Sequence, residues 1–109
     1  MLDVQAALTA AQVPGYRGAF RPTDGCREPP GCYCAYTLSR APIWPSDDAS
    51  RAMRIRAFLH LFSRDDPLDA QAAIFAAMNA QGWHMIRETE GYVGTAEDYE
   101  VFSEWEGVE

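Results

Sequence analysis

The sequence lacks several features that would indicate a function directly. It has no lysine, so all nine basic residues are arginines, and no apolar run approaches the roughly 20 residues that a membrane span needs. The N-terminus has no positive segment followed by an apolar one, which predicts that no secretory signal is present. The glycine patterns G-x-x-x-x-G-K-[ST] and G-x-G-x-x-G, which cradle phosphates, are absent. These absences weigh against the membrane, secreted and nucleotide-binding classes.

Cysteine and histidine are also scarce. The three cysteines are Cys26, Cys32 and Cys34, and an odd number without a signal favours reduced thiols in a cytoplasm. A zinc site needs closely spaced cysteine pairs together with suitably placed histidines, but His60 and His84 fall in separate predicted elements. We therefore predict no metal site. Cys32 and Cys34 share one face of a predicted strand, where cysteine behaves as a small apolar residue.

Negative charge is concentrated at the C-terminal end of the chain. The net charge is −7, yet residues 88–109 contain no basic residue at all. A terminal hairpin with this charge would repel nucleic acid, so we predict no sequence-specific nucleic-acid partner. A solvated strand face kept soluble by glutamate explains the same composition equally well. The acidic residues of this segment are Glu88, Glu90, Glu97, Asp98, Glu100, Glu104, Glu106 and Glu109.

The length of 109 residues fits a single domain, 1–109. Hydrophobic periodicity predicts the element order α-β-β-α-β-β, which indicates an α+β fold. Two hairpins joined by a crossover helix predict a mostly antiparallel four-stranded sheet with two helices packed on one face. The predicted elements are a helix over 1–11, strands over 32–38 and 53–61, a helix over 67–81, and strands over 83–89 and 99–105.

The clearest local pattern lies between Met53 and Gly82. Apolar residues occupy every second position from Met53 to Leu61, which predicts a strand with one dry face. Asp66 is the predicted N-cap of the following helix, Pro67 its first residue and Gly82 its end. The predicted packed face of this helix consists of Leu68, Ala72, Phe75 and Met78, with Ile74 beside it.

We predict no catalytic site and no cofactor. Cys34 and His60 could lie on adjacent strands as a nucleophile and its base, but packing is the simpler interpretation of both. The acidic pairs lie in predicted loops or at a helix start, where aspartate has ordinary turn and capping roles. These pairs are Asp47-Asp48, Asp65-Asp66 and Glu97-Asp98.

The segment 39–50 is predicted to be a long loop that serves contact or function. It contains two prolines and the apolar pair Ile43-Trp44. Trp44 either folds back to cap the core or anchors a neighbouring subunit, where tryptophan is enriched among the residues that dominate binding.

Two arginines on one strand face are predicted to form ion pairs. Arg54 and Arg56 are too few to form a nucleic-acid groove. We expect them to pair across strands with Glu100 and Glu104, or with acidic residues of a second subunit.

Several segments carry a family resemblance when they are taken in order. They are Val13-Pro14-Gly15-Tyr16 after the first helix, Pro29 to Tyr36 at the entry to a strand, Asp47-Asp48 in a proline-rich loop, Gly82-Trp83, and the acidic tyrosine hairpin with Tyr92, Tyr99 and Glu100. Together they resemble the tail-completion, or tail-terminator, proteins of long-tailed bacteriophages and prophages, over nearly the whole chain. The cysteine-bearing stretch Gly25 to Cys34 departs from the family pattern.

The resemblance implies a virion structural protein without catalytic residues or a cofactor. Members of this family form a ring, commonly of six copies, which caps the tail tube, meets the head-side connector and leaves a channel for DNA. The implied partners are further copies of the chain, the tube protein and the connector protein, with no membrane. The implied location is the host cytoplasm during assembly and then the virion tail.

The resemblance and the residue patterns together suggest two surfaces. The candidate subunit or tube interface consists of Ile43, Trp44, Asp47, Asp48, Arg54 and Arg56. The candidate acidic channel face consists of Glu97, Asp98, Glu100 and Glu104. Two other interpretations stay open: a head–tail joining protein or other assembly module of similar fold, such as a secretion-apparatus subunit, and a ferredoxin-like ligand-binding domain.

Overall fold

A computed structural model describes residues 2–20, 30–42, 53–94 and 98–109. The described elements are α1 (Val4–Ala10), β1 (Gly15–Arg17), β2 (Cys32–Pro42), β3 (Met53–Ser63), α2 (Leu68–Gln81), β4 (His84–Val93) and β5 (Asp98–Val108). The strands form one sheet in the order β1-β2-β3-β5-β4. All neighbouring strands are antiparallel except β1 and β2, which are parallel.

The predicted α+β class is confirmed, but the sheet has five strands where four were predicted. The additional strand is β1, which follows the turn at Val13-Pro14. The Pro14 carbonyl accepts from the Cys34 amide at 2.8 Å, and the Tyr36 carbonyl accepts from the Gly18 amide at 2.7 Å. Two such bonds hold a segment of three residues against β2 although its own sequence is too short to show a period of two.

The predicted alternation of β2, β3 and β5 is confirmed. On β3 the odd-numbered residues Ile55 to Leu61 are buried, and the even-numbered ones are half-buried or exposed. Val4, Ala7 and Leu8 of α1 and Ile74 and Met78 of α2 join the same core, so both helices pack on one face of the sheet, as predicted. The strand residues of this core are Cys34, Tyr36, Ile55, Ala57, Leu59, Leu61, Val101 and Trp105.

Two segments predicted as loop are strand instead. The end of β2, Ser39–Pro42, pairs with β3, and the end of β4, Glu90–Val93, pairs with β5. Proline, glycine and glutamate have low strand propensity, but here the neighbouring strand supplies the ladder. The rings of Tyr92 and Tyr99 also stack across β4 and β5 with centroids 5.0 Å apart.

Helix α2 begins at Leu68, one residue later than predicted, and Pro67 occupies the N-cap position. Asp66 still caps this end, because its Oδ1 accepts from the Leu68 amide at 3.0 Å. Gly82 ends the helix with a φ of 101°, as predicted.

The predicted packed face of α2 is only partly correct. Ile74 and Met78 are buried, whereas Leu68 and Phe75 are 66% and 48% exposed. The small side chain of Ala77 packs partly buried against the core beside Met78, which lets the helix lie close to the sheet along this line. Phe75 is left near the sheet edge, with its ring 5.8 Å from that of Trp105.

The two helices are joined by the side chain of Gln81. Its amide nitrogen donates to the Asp3 carbonyl and its amide oxygen accepts from the Asp3 backbone N–H, both at 2.8 Å. The same oxygen accepts from the Trp83 indole at 3.1 Å. Asp3 in turn caps α1 by accepting from the Ala6 amide at 3.1 Å. Neither described helix is long and apolar enough to cross a membrane.

Candidate interaction surface

The two faces of the sheet differ, because α1 and α2 pack on one face and no described helix packs on the other. Side chains alternate along a strand, so the positions between the core residues point to the second face. We call this second side the uncovered face. It carries Tyr33, Ala35 and Thr37 of β2, Arg54, Arg56, Phe58, His60 and Phe62 of β3, and Glu100, Phe102, Glu104 and Glu106 of β5.

One part of the uncovered face, together with Tyr16 and Phe20 beside it, is an aromatic patch. It consists of Tyr16, Phe20, Tyr33, Phe58, His60, Phe62 and Phe102, all of them half-buried. Tyr33 stacks on Phe62 with ring centroids 5.0 Å apart, and the His60 ring lies 4.9 Å from that of Phe102. Tyr16 extends the patch from β1, 5.9 Å from Tyr33. Large aromatic rings offer much contact area for few rotatable bonds, which suits a binding surface.

A hollow of about 400 Å³ opens at the β1 end of the aromatic patch, next to Phe20, Tyr33, His60 and Phe62. Burial raises the pKa of the Tyr33 phenol, and the negative charges of Asp98 and Glu100 raise it further. The hydroxyl therefore stays protonated and uncharged near neutral pH. The hollow has the size and lining to receive an apolar or aromatic side chain of another protein.

Another part of the uncovered face is a charged cluster, formed by Arg54, Arg56, Glu104 and Glu106 together with Arg87 of β4. Arg56 Nη1 lies 3.0 Å from Glu104 Oε2, and Arg87 Nε lies 3.4 Å from Glu104 Oε1. Arg54 Nε lies 2.8 Å from Glu106 Oε1. The side chain of Glu104 is only 9% exposed, so this carboxylate sits between two guanidinium groups with its charge largely balanced.

The predicted arginine pairs are confirmed in part. Arg56 binds Glu104 as expected, but Arg54 pairs with Glu106 and not with Glu100. Glu100 lies instead 3.3 Å from the His60 ring nitrogen. The register decides this, because Arg56 aligns with Glu106 and Phe62 with Glu100, so Arg54 is far from Glu100 along the strand. The other predicted interface residues, Ile43, Trp44, Asp47 and Asp48, lie outside the described residues.

The predicted acidic channel residues do not share one environment. Asp98 and Glu100 are half-buried in the first residues of β5. Glu104 lies in the charged cluster, so it adds little negative charge to the surface. Glu97 lies outside the described residues. The structure thus brings Asp98 and Glu100 together and separates Glu104 from them.

Sequence reasoning missed the aromatic patch and a second apolar surface beside α2. Leu68, Ala72, Phe75 and Met85 border a groove of about 300 Å³, with Glu88 at its rim. A signal for the patch was available, since Tyr33, Phe58, Phe62 and Phe102 occupy the outward positions of alternating strands. The groove gave no such signal, because Leu68 and Phe75 look like core residues of an amphipathic helix.

The two described cysteines belong to the core side of the sheet. Cys34 is fully buried, and burial raises the pKa of its thiol from 9.0 to about 12. Cys34 aligns with Leu61 and Ala35 aligns with His60, so the Cys34 and His60 side chains lie on opposite faces. The suggested nucleophile–base pair is therefore not formed. Cys32 is half-buried, and Cys26 lies outside the described residues.

Within the described ranges, no group of three or more histidine, cysteine or acidic side chains is arranged to hold a metal ion. The buried side-chain nitrogen and oxygen atoms there all have a hydrogen-bond partner. Trp105, for example, donates from its indole to Ser103 Oγ at 2.9 Å.

Comparison with known proteins shows a likeness in fold and none in sequence. No protein-family profile matches the chain, and no curated protein matches its sequence. Among solved structures, a chain from the virion of a native gene transfer agent (GTA) particle is similar in fold, with a TM-score of 0.54. The similarity covers 94% of this chain and 81% of that chain at 14% sequence identity. At this identity the likeness establishes a shared fold.

Proposed function

We propose that this protein is a virion structural protein of a phage-like particle, which caps the tail tube as a ring of its own copies and joins it to the head side. The observation that carries the proposal is the fold shared with a chain of a GTA virion over 94% of the present chain. The tail-completion resemblance of the sequence points to the same class of particle. The terminal position on the tube is the finer part of the proposal and comes from that resemblance.

The geometry supports an assembly role. A sheet with one uncovered face, rich in aromatic rings, presents a broad contact surface and not a closed cavity. Aromatic residues and arginine are enriched at protein interfaces, and this face carries both. We assign the aromatic patch to contact with the tube protein, with the hollow beside Tyr33 and Phe62 receiving a side chain of that partner.

The acidic end of the β4–β5 hairpin supports a channel face. Asp98 and Glu100 are partly exposed. Among the described residues, the Glu100 carboxylate forms a side-chain contact with His60. A channel lined with carboxylates lets DNA pass because it does not bind the phosphates. Glu97, Asp98 and Glu100 are the proposed lining, and Glu104 contributes less because Arg56 and Arg87 balance its charge.

The test uses the tail-tube protein encoded in the same genome. Tube protein is polymerised with and without the purified chain, and the products are compared by negative-stain electron microscopy. We expect shorter tubes with additional density at one end. The double variant Tyr33→Ser/Phe62→Ser should leave tubes uncapped. Tyr92→Ser is the matched control, because Tyr92 is an exposed aromatic residue outside the patch.

Tubes of unchanged length and unmodified ends in the presence of wild-type protein would refute the capping role. A head–tail joining protein of the same fold is the alternative, since fold likeness to a virion chain does not distinguish the two positions. That alternative predicts binding to the isolated connector and none to tubes, which the same microscopy with connector rings would reveal.

A further inference from the structure

Two arginines lie beside one edge of the sheet, on the side that the helices cover. Arg17 of β1 aligns with Tyr36 of β2, and Arg40 lies four residues beyond Tyr36, so all three side chains belong to the same face. Both arginines are exposed and border one hollow of about 210 Å³, with Leu38 beside them. Neither forms an ion pair with a described residue, although Asp3 also borders this hollow.

The backbone beside these arginines is an open strand edge. Strand β1 ends at Arg17, whereas β2 continues to Pro42. The Tyr36 carbonyl accepts a hydrogen bond from the Gly18 amide, on the side of β2 where β1 lies. Alternate residues of a strand direct their backbone N–H and C=O groups to the same side. The backbone groups of Leu38 and Arg40 therefore point to this side too, beyond the end of β1. Within the described ranges nothing pairs with this edge.

The opposite edge of the sheet carries negative charge on the same side. Strand β4 is the outer strand and pairs only with β5 in the described chain. Glu88 and Glu90 align with Ser103 and Val101, so both carboxylates lie on the side that the helices cover. Both are exposed, and Glu88 receives one hydrogen bond, from the Gln71 amide at 3.3 Å.

An apolar groove lies directly beside this acidic edge. Leu68 is 66% exposed, and it borders the groove together with Phe75, Met85 and Glu88. The opposite edge offers half-buried Leu2 and Leu38 next to its arginines. One edge therefore carries two arginines near a single aspartate, and the other carries two glutamates, each beside apolar surface. This is the composition of an interface with an apolar centre and a charged rim.

We infer that the occupant of each edge is a second copy of this chain, with Glu88 and Glu90 on β4 of one copy facing Arg17 and Arg40 of the next. Continuing a sheet across two copies keeps their helix-covered sides together, so the acidic and basic side chains meet. Such a head-to-tail contact joins two different edges, and it closes into a ring when the rotation allows. This inference rests on the proposed ring and names the surfaces that build it.

The test is a charge swap measured by sedimentation velocity over a range of protein concentration and salt. Wild type should associate beyond a monomer, and less so at high salt. The variants Arg17→Glu/Arg40→Glu and Glu88→Arg/Glu90→Arg should each raise the dissociation constant at least about tenfold. An equimolar mixture of these two variants should regain association, because opposite charges then face each other at every junction.

Two controls separate this contact from a general effect of charge or stability. Arg64→Glu reverses an exposed charge beyond the end of β3 and should associate as wild type does. Leu68→Ser removes the most exposed apolar side chain of the groove and should weaken association without lowering the melting temperature.

The outcomes also distinguish this inference from the proposed function. Wild type that stays monomeric at every concentration, or edge variants that associate as wild type does, would overturn the inference, and capped tubes in the microscopy would then leave the capping role intact. Edge variants with a lower melting temperature but an unchanged dissociation constant would also overturn it. The substituted residues would then stabilise the fold of a single copy and not a contact between copies. If the equimolar mixture of the two variants associates but wild type leaves tubes uncapped, the contact between edges would be supported and the capping role refuted.

Discussion

Arg56 and Glu104 are diagonal neighbours on β3 and β5, with Nη1 and Oε2 3.0 Å apart on the uncovered face. Arg87 approaches the same carboxylate from β4, and its guanidinium also lies 5.4 Å from the centre of the Phe102 ring. One nearly buried carboxylate thus links three strands. The charged cluster is a structural element beside the aromatic patch, and it explains why a strongly acidic hairpin packs against an arginine-bearing strand.

Glu104→Ala should lower the free energy of unfolding by about 1–3 kcal/mol, because two guanidinium groups lose a desolvated partner. A double-mutant cycle of Arg56→Ala with Glu104→Ala should give a coupling of about 1 kcal/mol in urea titrations. Arg54→Ala is the control and should cost less than about 1 kcal/mol, since the side chains of its ion pair are 49% and 33% exposed, against 9% for Glu104. Equal costs for Arg54 and Glu104 would contradict this account.

Gly107→Ala should destabilise the protein by about 1–3 kcal/mol through overpacking. A Cβ at this position would lie 2.5 Å from Leu2 Cδ1 and 3.1 Å from Trp83 Cε3, and the tryptophan is too well packed to give way. Gly91→Ala on β4 is the matched control, because a Cβ there meets open space. Thermal unfolding followed by circular dichroism measures both, and an unchanged melting temperature for Gly107→Ala would show that Leu2 alone absorbs the new methyl group.

Gln81→Ala should cost about 0.5–1.5 kcal/mol, since it removes the partner of both Asp3 backbone groups and of the Trp83 indole, and water can replace the two exposed bonds to Asp3. The loss should appear first as faster amide hydrogen exchange in α1, because α1 is held to α2 by these bonds. Asn79→Ala, at an exposed position of the same helix, should change stability by less than about 0.5 kcal/mol. Unchanged exchange in α1 would mean that apolar packing alone holds that helix.

Stability should fall as the pH rises above 9. The Cys34 thiol has its pKa raised by burial from 9.0 to about 12, so above pH 9 the unfolded chain releases a proton that the folded chain keeps. Unfolding is then favoured by about 1.4 kcal/mol per pH unit from this group, until the pH passes the folded value. Cys34→Ala should show a shallower decline in urea titrations between pH 8 and 11. All other side chains are the same in both proteins, so parallel curves would mean that Cys34 does not contribute.

Asp98→Arg/Glu100→Arg should make the protein bind duplex DNA, with an affinity at least about tenfold above that of wild type at low salt. The reason is that carboxylates which repel phosphates at the hairpin end become guanidinium groups which bind them. Asp65→Arg/Asp69→Arg introduces the same charge at two exposed positions elsewhere and serves as the control. Electrophoretic mobility shifts compare the variants. Equal binding by both double variants would indicate an effect of net charge alone and would contradict a channel role for Asp98 and Glu100.

Local pattern was enough to predict most of the elements and their faces. A period of two separates Ile55, Ala57, Leu59 and Leu61 from Arg54, Arg56, Phe58 and His60, and the structure buries the first set only. Asp66 and Gly82 bound α2 because capping and left-handed backbone depend on a few neighbouring residues. Such signals need no knowledge of the rest of the chain.

The candidate surface was harder to predict. The sequence indicated that Arg56 and Glu104 would form an ion pair, but it did not indicate the ion pair between Arg54 and Glu106. The cross-strand partner of a residue depends on the register of the two strands. Helix α2 shows the same limit, since Leu68 and Phe75 fit a buried stripe and are exposed only because of where the helix lies on the sheet.

The sequence by itself determined the α+β class, the alternation of the strands, the end of α2 at Gly82 and the acidic character of the last hairpin, since each follows from residues close together in the chain. Only the tertiary structure decided that β5 lies between β3 and β4, that β1 adds a parallel fifth strand, and that one face carries a continuous aromatic patch. These features depend on which distant segments share hydrogen bonds and core contacts. Periodicity within one segment carries no information about its neighbours in space.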